Sequence, residues 1–382
     1  MDCQWTEGQL QLREEVINFA RRELNHDIVT HDRESQFSRE HWDKCARFGI
    51  LGLCFPQEYG GQGKDVLTTI LVMEALGYGC EDNGLTGALN GQMWSIQEPV
   101  LSFGNEAQKR KFLPGLCNGR LIGAHGMTEP ESGSDAFSLR TRAEKRDGGY
   151  ILNGSKTMIG LAPVCDVALV FATSDPSLGQ WGISAFLVEK GTPGFHASKS
   201  WEKMGMRTNP TGELSLDNCF VPAENRLGPE GAGVSIFAGS MEWERSFIFA
   251  SHVGAMERQL EKAIAYAKER RQFEQPIGKF QSVSNRIADM KVRLETARLH
   301  LYKAAWLKEL GQPAALQSTM TKLHISEAYL QSSLDAIQVF GGKGYLTDTG
   351  VERDMRDATG GVLYTGTSDI QRVVIARLLG LR

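Results

Sequence analysis

A single carboxylate interrupts an otherwise largely apolar helix face in the second half of the chain. Positions 237, 241, 244, 248, 251 and 255 follow one another in steps of three or four residues and carry Phe, Met, Glu, Ile, Ser and Ala. A carboxylate that is kept from water favours its protonated form, which suits a general base. Glu244 is therefore a candidate base, although an ion pair with Arg245, Arg258 or another arginine would explain the same pattern.

Three other segments carry residue types that could bind a nucleotide cofactor. Residues 126–135 are dense in turn formers and hydroxyls, and residues 338–345 hold three glycines in four positions. Residues 270–273, Arg-Arg-Gln-Phe, could supply a cation and a ring. Each segment also has a structural explanation, respectively an ordinary polar loop, a helix C-cap with a turn, and a solvated helix end.

The elements that must position these residues change type twice along the chain. Residues 6 to about 120 have helical periodicity, whereas short apolar runs between turn residues predict strands from 122 to about 226. Long helical patterns return from Gly231 onward. We therefore predict an N-terminal helical domain (1–121), a middle β domain (122–226) and a C-terminal helical bundle domain (227–382).

Composition excludes several classes of protein. The 382 residues are 41% hydrophobic and 23% charged with a formal net charge of −4, which argues against disorder and against a nucleic-acid footprint. No apolar run approaches a membrane span, the start lacks a secretory pattern, and the seven cysteines are scattered without a CxxC motif. We expect a cytoplasmic protein without membrane association, nucleic-acid partner or metal site. Rossmann and P-loop glycine motifs are absent, so a nucleotide would be held in another way.

Four segments in order resemble the acyl-CoA dehydrogenase flavoprotein family, namely residues 126–138, 270–281, 338–357 and 364–368. The resemblance implies a mainly α fold with a β middle domain. This acyl-CoA dehydrogenase fold has a helical N-terminal domain, a β-barrel-like middle domain and a C-terminal four-helix bundle. It also implies FAD between the middle domain and the bundle, in a homotetramer whose neighbouring subunit completes each site.

The resemblance assigns roles in FAD binding residue by residue. Hydroxyls suit the flavin edge, arginine suits the pyrophosphate, and glycines allow close approach. The residues implied along the flavin and its chain are Met127, Thr128 and Ser134, with Met158 and Gly160 beside the flavin ring. Thr367 and Asp369 are implied to contact FAD near the loop that carries Thr365. Those implied at the ADP half are Arg270, Phe273 and Gln281, with Gln338, Gly341 and Gly342 from another subunit.

The sequence departs from the family pattern at the catalytic position. Most members place a glutamate where Thr365 stands, and a threonine cannot remove a proton at neutral pH. A minority, including isovaleryl-CoA dehydrogenases, supply the base from the helix position that matches Glu244. The resemblance thus implies Glu244 as the base, with Arg245 beside it and the backbone N–H of Thr365 holding the thioester oxygen.

A second departure lies beside the expected flavin. The family usually has Trp and Thr where Met158 and Gly160 stand, and Gly160 has no side chain to donate to flavin N5. This change puts the usual redox partner, an electron-transfer flavoprotein, in doubt. Oxidation by O2 is therefore a hypothesis.

Residues 160–163, 240–245 and 365–369 are similar to the prolyl-carrier-protein dehydrogenase/oxidase subgroup. This similarity implies FAD-dependent oxidation of a prolyl thioester, carried by a phosphopantetheinyl carrier protein, to a pyrroline thioester in natural-product biosynthesis. Glu244 would be the base and flavin N5 the hydride acceptor. One alternative is a short branched-chain acyl-CoA dehydrogenase of the isovaleryl type. A non-catalytic flavin-binding scaffold is the less favoured one.

Overall fold

The computed structural model describes residues 5–381. Helices before and after a central sheet pack together into a single α-helical core. The helices before the sheet are α1 (Glu7–Glu23), α2 (Ile28–Glu34), α3 (Arg39–Phe48), α4 (Val66–Gly79), α5 (Asn83–Gly91), α6 (Glu98–Phe103) and α7 (Glu106–Cys117). A π-helical segment, Gln92–Gln97, joins α5 to α6.

Local capping sets where several of these helices begin. The Thr6 side chain accepts from the backbone of Gln9 in a capping box, and Asn105 forms the same arrangement at α7. Asp65 and Asp82 cap α4 and α5 by accepting from backbone N–H groups. These short polar residues satisfy N–H groups that would otherwise lack partners at the helix starts.

The middle of the chain forms one twisted sheet whose most buried strand is β4. The strands are β1 (Gly123–Gly126), β2 (Arg142–Arg146), β3 (Gly149–Gly160), β4 (Val167–Thr173), β5 (Ile183–Glu189), β6 (Phe195–Ala197), β7 (Thr211–Pro222) and β8 (Arg226–Leu227). Their order is β6-β7-β3-β2-β4-β5-β8, and β1 pairs in parallel with β4. All of β4 is buried, and its continuous apolar run explains why it lies centrally.

The chain then returns to helices. They are α8 (Gly233–Phe247), α9 (Ala250–Glu269), α10 (Gln281–Glu309), α11 (Ala315–Phe340), α12 (Val351–Gly361) and α13 (Ser368–Leu378), with a small hairpin of β9 (Arg271–Gln272) and β10 (Gln275–Pro276) between α9 and α10. None of the helices in the described part of the chain is long and apolar enough to cross a lipid bilayer.

The face that carries Glu244 is divided between two helices, which corrects the expectation of one continuous face. Helix α8 ends at Phe247, and positions 251 and 255 belong to α9. The Ser246 hydroxyl donates to the Glu242 carbonyl at 2.7 Å, and such side-chain bonds bend helices. Phe237, Met241 and Glu244 remain together on α8.

Close backbone contact fixes α9 against α4. A Cβ on Gly77 would lie 1.8 Å from the Ser251 carbonyl oxygen, and one on Gly254 would lie 1.9 Å from that of Glu74. Only glycine fits at either position, so the two helices cross at short range. This crossing joins the N-terminal helices to the bundle that holds the candidate base.

The predicted domain boundaries stay proposals. The first, between 121 and 122, falls in the connection after α7, whereas the second, between 226 and 227, falls inside β8. The predicted terminal domains include residues 1–4 and 382, which lie outside the described residues. Cys3 is one of them. The other six cysteines form no disulfide.

A buried ion pair supports the loop after β1. Lys156 is fully buried on β3, and its Nζ lies 2.7 Å from Oε1 of Glu129. Glu129 also accepts from the backbone N–H groups of Arg140 and Thr141. One carboxylate therefore ties both ends of the 129–141 loop to β3.

We predict that Lys156→Met lowers the free energy of unfolding by about 3–5 kcal/mol, because it leaves the Glu129 carboxylate buried without its cation. Adding Glu129→Gln recovers part of that loss. Urea unfolding followed by circular dichroism measures both. The control is Lys291→Met in the exposed Lys291–Glu295 pair, where we expect a loss below about 1 kcal/mol. Equal losses at both sites would contradict the role of burial.

Candidate active site

The Glu244 carboxylate lies where three distant segments meet. Its side chain is 9% exposed on α8. The Ser95 hydroxyl, from the π-helical segment, donates to Oε2 at 2.7 Å, and the Thr365 hydroxyl donates to Oε1 at 2.6 Å. Both carboxylate oxygens are thus held by neutral donors, in an orientation set by three parts of the fold.

The loop that carries Thr365 has an unusual backbone. Thr365 and Gly366 have φ values of +57° and +83°. The fully buried Gln371 side chain donates to the carbonyls of both residues, each at 3.0 Å, which holds the loop in this conformation. The Thr365 N–H takes part in no hydrogen bond within residues 5–381, so it is available to a bound carbonyl oxygen.

Arginine pairing does not explain the buried glutamate. Arg258 pairs with Asp354 at 3.3 Å, and Arg245 forms no ion pair with Glu244 in the part of the chain that the structure describes. Burial lowers the pKa of the Arg245 guanidinium, against the opposing effect of Glu244. Burial, followed by repulsion from Arg245, lowers the pKa of Lys322 to about 8. Arg245 Nε and Lys322 Nζ are both buried and find no hydrogen-bond partner among the described residues.

Aromatic side chains join the two segments that carry Ser95 and Glu244. Trp94 precedes Ser95, Trp243 precedes Glu244, and their indole rings stack 5.9 Å apart at 6°. Phe247 packs against Trp94 at 5.0 Å. These contacts hold the π-helical segment against α8 beside the Ser95–Glu244 hydrogen bond.

The residues predicted to contact the flavin lie partly together on the middle sheet. Thr157 donates from its backbone to the Thr128 carbonyl at 2.9 Å, so the end of β3 runs beside residues 127–128. Met127 is buried, whereas Met158 is 68% exposed with a φ of +57°. Ser134 is exposed in the loop after them.

Gly160 has open space on its side-chain face. A Cβ there would find its nearest atoms at 3.8 and 3.9 Å, both in the amide group of Asn209. The Asn209 Oδ1 atom is buried without a partner. An amide therefore stands beside the position where the family usually has a hydroxyl.

The residues predicted for the ADP half form a second, separate group. All are exposed. Arg270 and Phe273 lie in the connection from α9 to α10, Gln281 is the first residue of α10, and Gln338, Gly341 and Gly342 lie at the end of α11. Tyr266 stacks on Phe340 at 4.3 Å, which places the ends of α9 and α11 side by side. No hydrogen bond within residues 5–381 links this group to Met127, Thr128, Met158 or Gly160.

The start of α13 borders an open cleft of about 480 Å³ that includes Thr367, Ser368 and Asp369. Thr367 caps the helix by accepting from the backbone N–H of Ile370 at 3.2 Å. Asp369 is almost fully exposed, whereas Ser368 Oγ is buried without a partner. Thr367 lies two residues after Thr365, so this cleft adjoins the loop that holds the carboxylate.

Models of three acyl-CoA dehydrogenase domains match the chain in order. The N-terminal domain matches residues 6–120, the middle domain 124–219 and the C-terminal domain 231–380. The chain belongs to the acyl-CoA dehydrogenase family.

Its relatives include enzymes named for prolyl carriers. It is 45% identical to the L-prolyl-[peptidyl-carrier protein] dehydrogenase of Pseudomonas fluorescens Pf-5, over 90% of this chain and 91% of that protein. The crystal structure of the prolyl acyl carrier protein oxidase AnaB matches with a TM-score of 0.98 and 51% identity, covering 99% of this chain and 100% of that one. PigA with FAD and proline matches with a TM-score of 0.97 and 41% identity, with both chains fully covered.

These matches confirm the predicted family and fold. They also confirm the prediction that the protein is a flavin-dependent dehydrogenase with FAD as its cofactor. The residues present fit this cofactor. Gly341 and Gly342 have no atom within 4 Å of an added Cβ, and Phe273 is 88% exposed. The unpartnered Ser368 Oγ and Asn209 Oδ1 supply polar atoms beside the predicted contacts. The individual contacts stay predictions.

Sequence reasoning missed four groups at this site. Ser95, Asn209 and Gln371 had no recognisable motif, and Thr365 was considered only for its backbone N–H. Ser95 lies 149 residues from Glu244 along the chain, so no local pattern could pair them. The role of the Thr365 hydroxyl could have been predicted, because Thr365 occupies the position at which most family members have their catalytic glutamate.

We predict that Ser95→Ala and Thr365→Val each lower kcat roughly 10-fold, equivalent to about 1.4 kcal/mol, because each leaves one carboxylate oxygen unheld. Both should leave KM and FAD content near wild type. Anaerobic flavin reduction by a thioester substrate measures the rate. Thr365→Ser keeps the hydroxyl and should retain most of it. A Thr365→Ser variant as slow as Thr365→Val would contradict the positioning role.

Proposed function

We propose that this protein oxidises a prolyl group held as a thioester on a phosphopantetheinyl carrier protein, with Glu244 as the base. The observation that carries the proposal is the buried Glu244 carboxylate, which two neutral hydroxyls orient and which no cation within residues 5–381 pairs with. The similarity to a prolyl-carrier dehydrogenase and to the oxidase AnaB supports the choice of substrate.

Glu244 takes the proton from the α-carbon of the acyl group. This proton is acidic because the charge left behind spreads onto the thioester oxygen. The hydroxyls of Ser95 and Thr365 fix the carboxylate for transfer, and they do so without the strong attraction of an arginine. The proton ends on a Glu244 oxygen.

The Thr365 N–H stabilises the thioester oxygen as negative charge develops on it. This N–H has no partner within residues 5–381, and the bonds from Gln371 fix the loop that presents it. A donor that is already oriented loses little free energy to reorganisation during the reaction. Arg245 and Lys322, both buried nearby, add a positive field that favours the same charge.

FAD, when bound, supplies the acceptor for the hydride equivalent that leaves the substrate, and the product is a pyrroline thioester. The chain's own contribution is to hold substrate and cofactor together and to exclude water. We propose that Met127, Thr128, Ser134, Met158 and Gly160 contact the flavin side.

The contacts proposed at the rest of the cofactor come from the helical region. They are Arg270, Phe273, Gln281, Gln338, Gly341, Gly342, Thr367 and Asp369. The residues proposed for the ADP half are exposed in the single chain, and the resemblance to the family implies that a neighbouring subunit covers them. We therefore propose a homotetramer.

The similarity to enzymes named for prolyl carriers favours a small acyl group. It suits a five-membered ring more than a long chain. A short branched acyl group on coenzyme A would also fit, so the isovaleryl-type dehydrogenase is the alternative. A non-catalytic scaffold has no use for a carboxylate oriented in this way.

The first experiment mixes the FAD-loaded protein anaerobically with prolyl-loaded carrier protein and, separately, with isovaleryl-CoA. We expect the prolyl carrier alone to bleach the flavin absorbance. Bleaching by isovaleryl-CoA alone would favour the alternative, and no bleaching by either would favour a scaffold. Air is then admitted to the reduced protein. Return of colour without added electron-transfer flavoprotein is expected, because Gly160 leaves space beside the proposed flavin position.

We predict that Glu244→Gln keeps FAD but lowers the rate of bleaching by roughly 10²–10⁴-fold, the usual contribution of a positioned base. Stopped-flow absorbance measures the rate. The matched control is Glu295→Gln, which removes an exposed carboxylate on α10 and should leave the rate unchanged. Full activity of Glu244→Gln would exclude this residue as the base.

A further inference from the structure

His125 is a partly buried histidine on β1 that takes no part in the reaction described above. It occupies β1, two residues before Met127, and pairs in register with Leu169 of β4. Its Nε2 atom is buried and has no hydrogen-bond partner within residues 5–381. A buried polar atom without a partner is uncommon in folded proteins and calls for an explanation.

The surroundings of His125 connect it to the candidate base. Its ring packs against Phe171 at 5.3 Å and against Phe237 at 6.0 Å. Phe237 shares the α8 face with Glu244, two turns earlier. The π-helical segment that carries Ser95 also contacts β1, because the Gly123 N–H donates to the Gln92 side chain at 2.8 Å.

The protonation state of the ring makes Nε2 an acceptor. Burial lowers the pKa of His125, against the opposing effects of the Glu244 carboxylate and of a hydrogen bond to its own backbone. The imidazole is therefore neutral near pH 7, and a neutral ring has one donor and one acceptor nitrogen. In the tautomer that carries its proton on Nδ1, Nε2 presents a lone pair.

The unpaired ring nitrogen of His125 differs from the other polar side chains around Glu244. Ser95 and Thr365 give their hydroxyl protons to the carboxylate and keep oxygen lone pairs, whereas Arg245 and Lys322 have donors only. The proline ring differs from a hydrocarbon ring of the same size by one secondary amine, whose N–H is a donor. His125 Nε2 is a buried nitrogen without a partner within residues 5–381, so it can accept from this donor.

We propose that His125 binds the ring nitrogen of the substrate, its Nε2 accepting a hydrogen bond from the N–H, and that it thereby selects a prolyl thioester over a carbocyclic thioester of equal size. This inference rests on the proposed function. A site built to hydrogen-bond an N–H discriminates against an analogue that lacks it, because the buried acceptor is then left unpaired. No proton or bond is transferred at this contact.

The test compares carrier protein loaded with proline against carrier protein loaded with cyclopentanecarboxylate. Wild type, His125→Phe and His125→Gln are each mixed anaerobically with both, and the rate of flavin bleaching is recorded. The cyclopentanecarboxyl carrier is also tested as an inhibitor of flavin bleaching by the prolyl carrier. Its inhibition constant measures how tightly it binds, even if it is oxidised slowly. FAD content and circular dichroism confirm that each variant is folded, and His196→Phe on the exposed part of β6 is the matched control.

We expect His125→Phe to slow flavin bleaching by the prolyl carrier roughly 10- to 100-fold. The inhibition constant of the cyclopentanecarboxyl carrier should stay unchanged or fall. His125→Gln retains an acceptor and should recover part of the prolyl rate. The inference is overturned if His125→Phe weakens both ligands equally, or if it changes neither. If the prolyl carrier does not bleach the flavin of the wild-type protein, the proposed function itself fails. If it bleaches the flavin equally in wild type and in His125→Phe, only the inference about His125 fails.

Discussion

Two neutral hydroxyls hold a buried carboxylate in this protein, and the remainder of the candidate site is arranged around that contact. A carboxylate removed from water normally requires a cation or several hydrogen bonds. Glu244 is stabilised by hydrogen bonds, with one hydroxyl donor on each carboxylate oxygen. An arginine in the same place would hold the proton-accepting oxygens in a strong ion pair. Hydroxyl donors orient them while leaving them able to accept a proton.

The two segments that hold the carboxylate have unusual backbone conformations. Ser95 reaches the carboxylate from a π-helical segment, and π-helical turns are rare outside functional sites. Thr365 reaches it from a residue with positive φ, which is unfavourable for a side chain with a branched β-carbon. The Gln371 bonds to the Thr365 and Gly366 carbonyls stabilise that strained loop. Local strain on two sides thus supports one oriented group.

The candidate site combines aromatic packing with unpaired polar atoms. Trp94, Trp243 and Phe247 pack together beside the Ser95–Glu244 hydrogen bond. His125 and Asn209 have buried polar atoms that find no partner within residues 5–381. The aromatic cluster holds the elements that carry the carboxylate, whereas the unpaired polar atoms are available to a ligand.

The sequence by itself determined the three-part architecture, because the switch from helical to strand periodicity and back is a local property of the residues. Together with the family resemblance it also pointed to Glu244 as a candidate base, because this is a polar residue in a largely apolar helical stripe. It could not reveal Ser95, Gln371, Asn209 or the nitrogen of His125 that lacks a partner within residues 5–381. The end of α8 at Phe247 was equally hidden, since neither proline nor glycine marks it in the sequence. Only the tertiary structure decided what the carboxylate contacts, because its partners come from segments 149 and 121 residues away along the chain. Contacts of that kind leave no periodic trace in the sequence, since they arise from packing between whole elements.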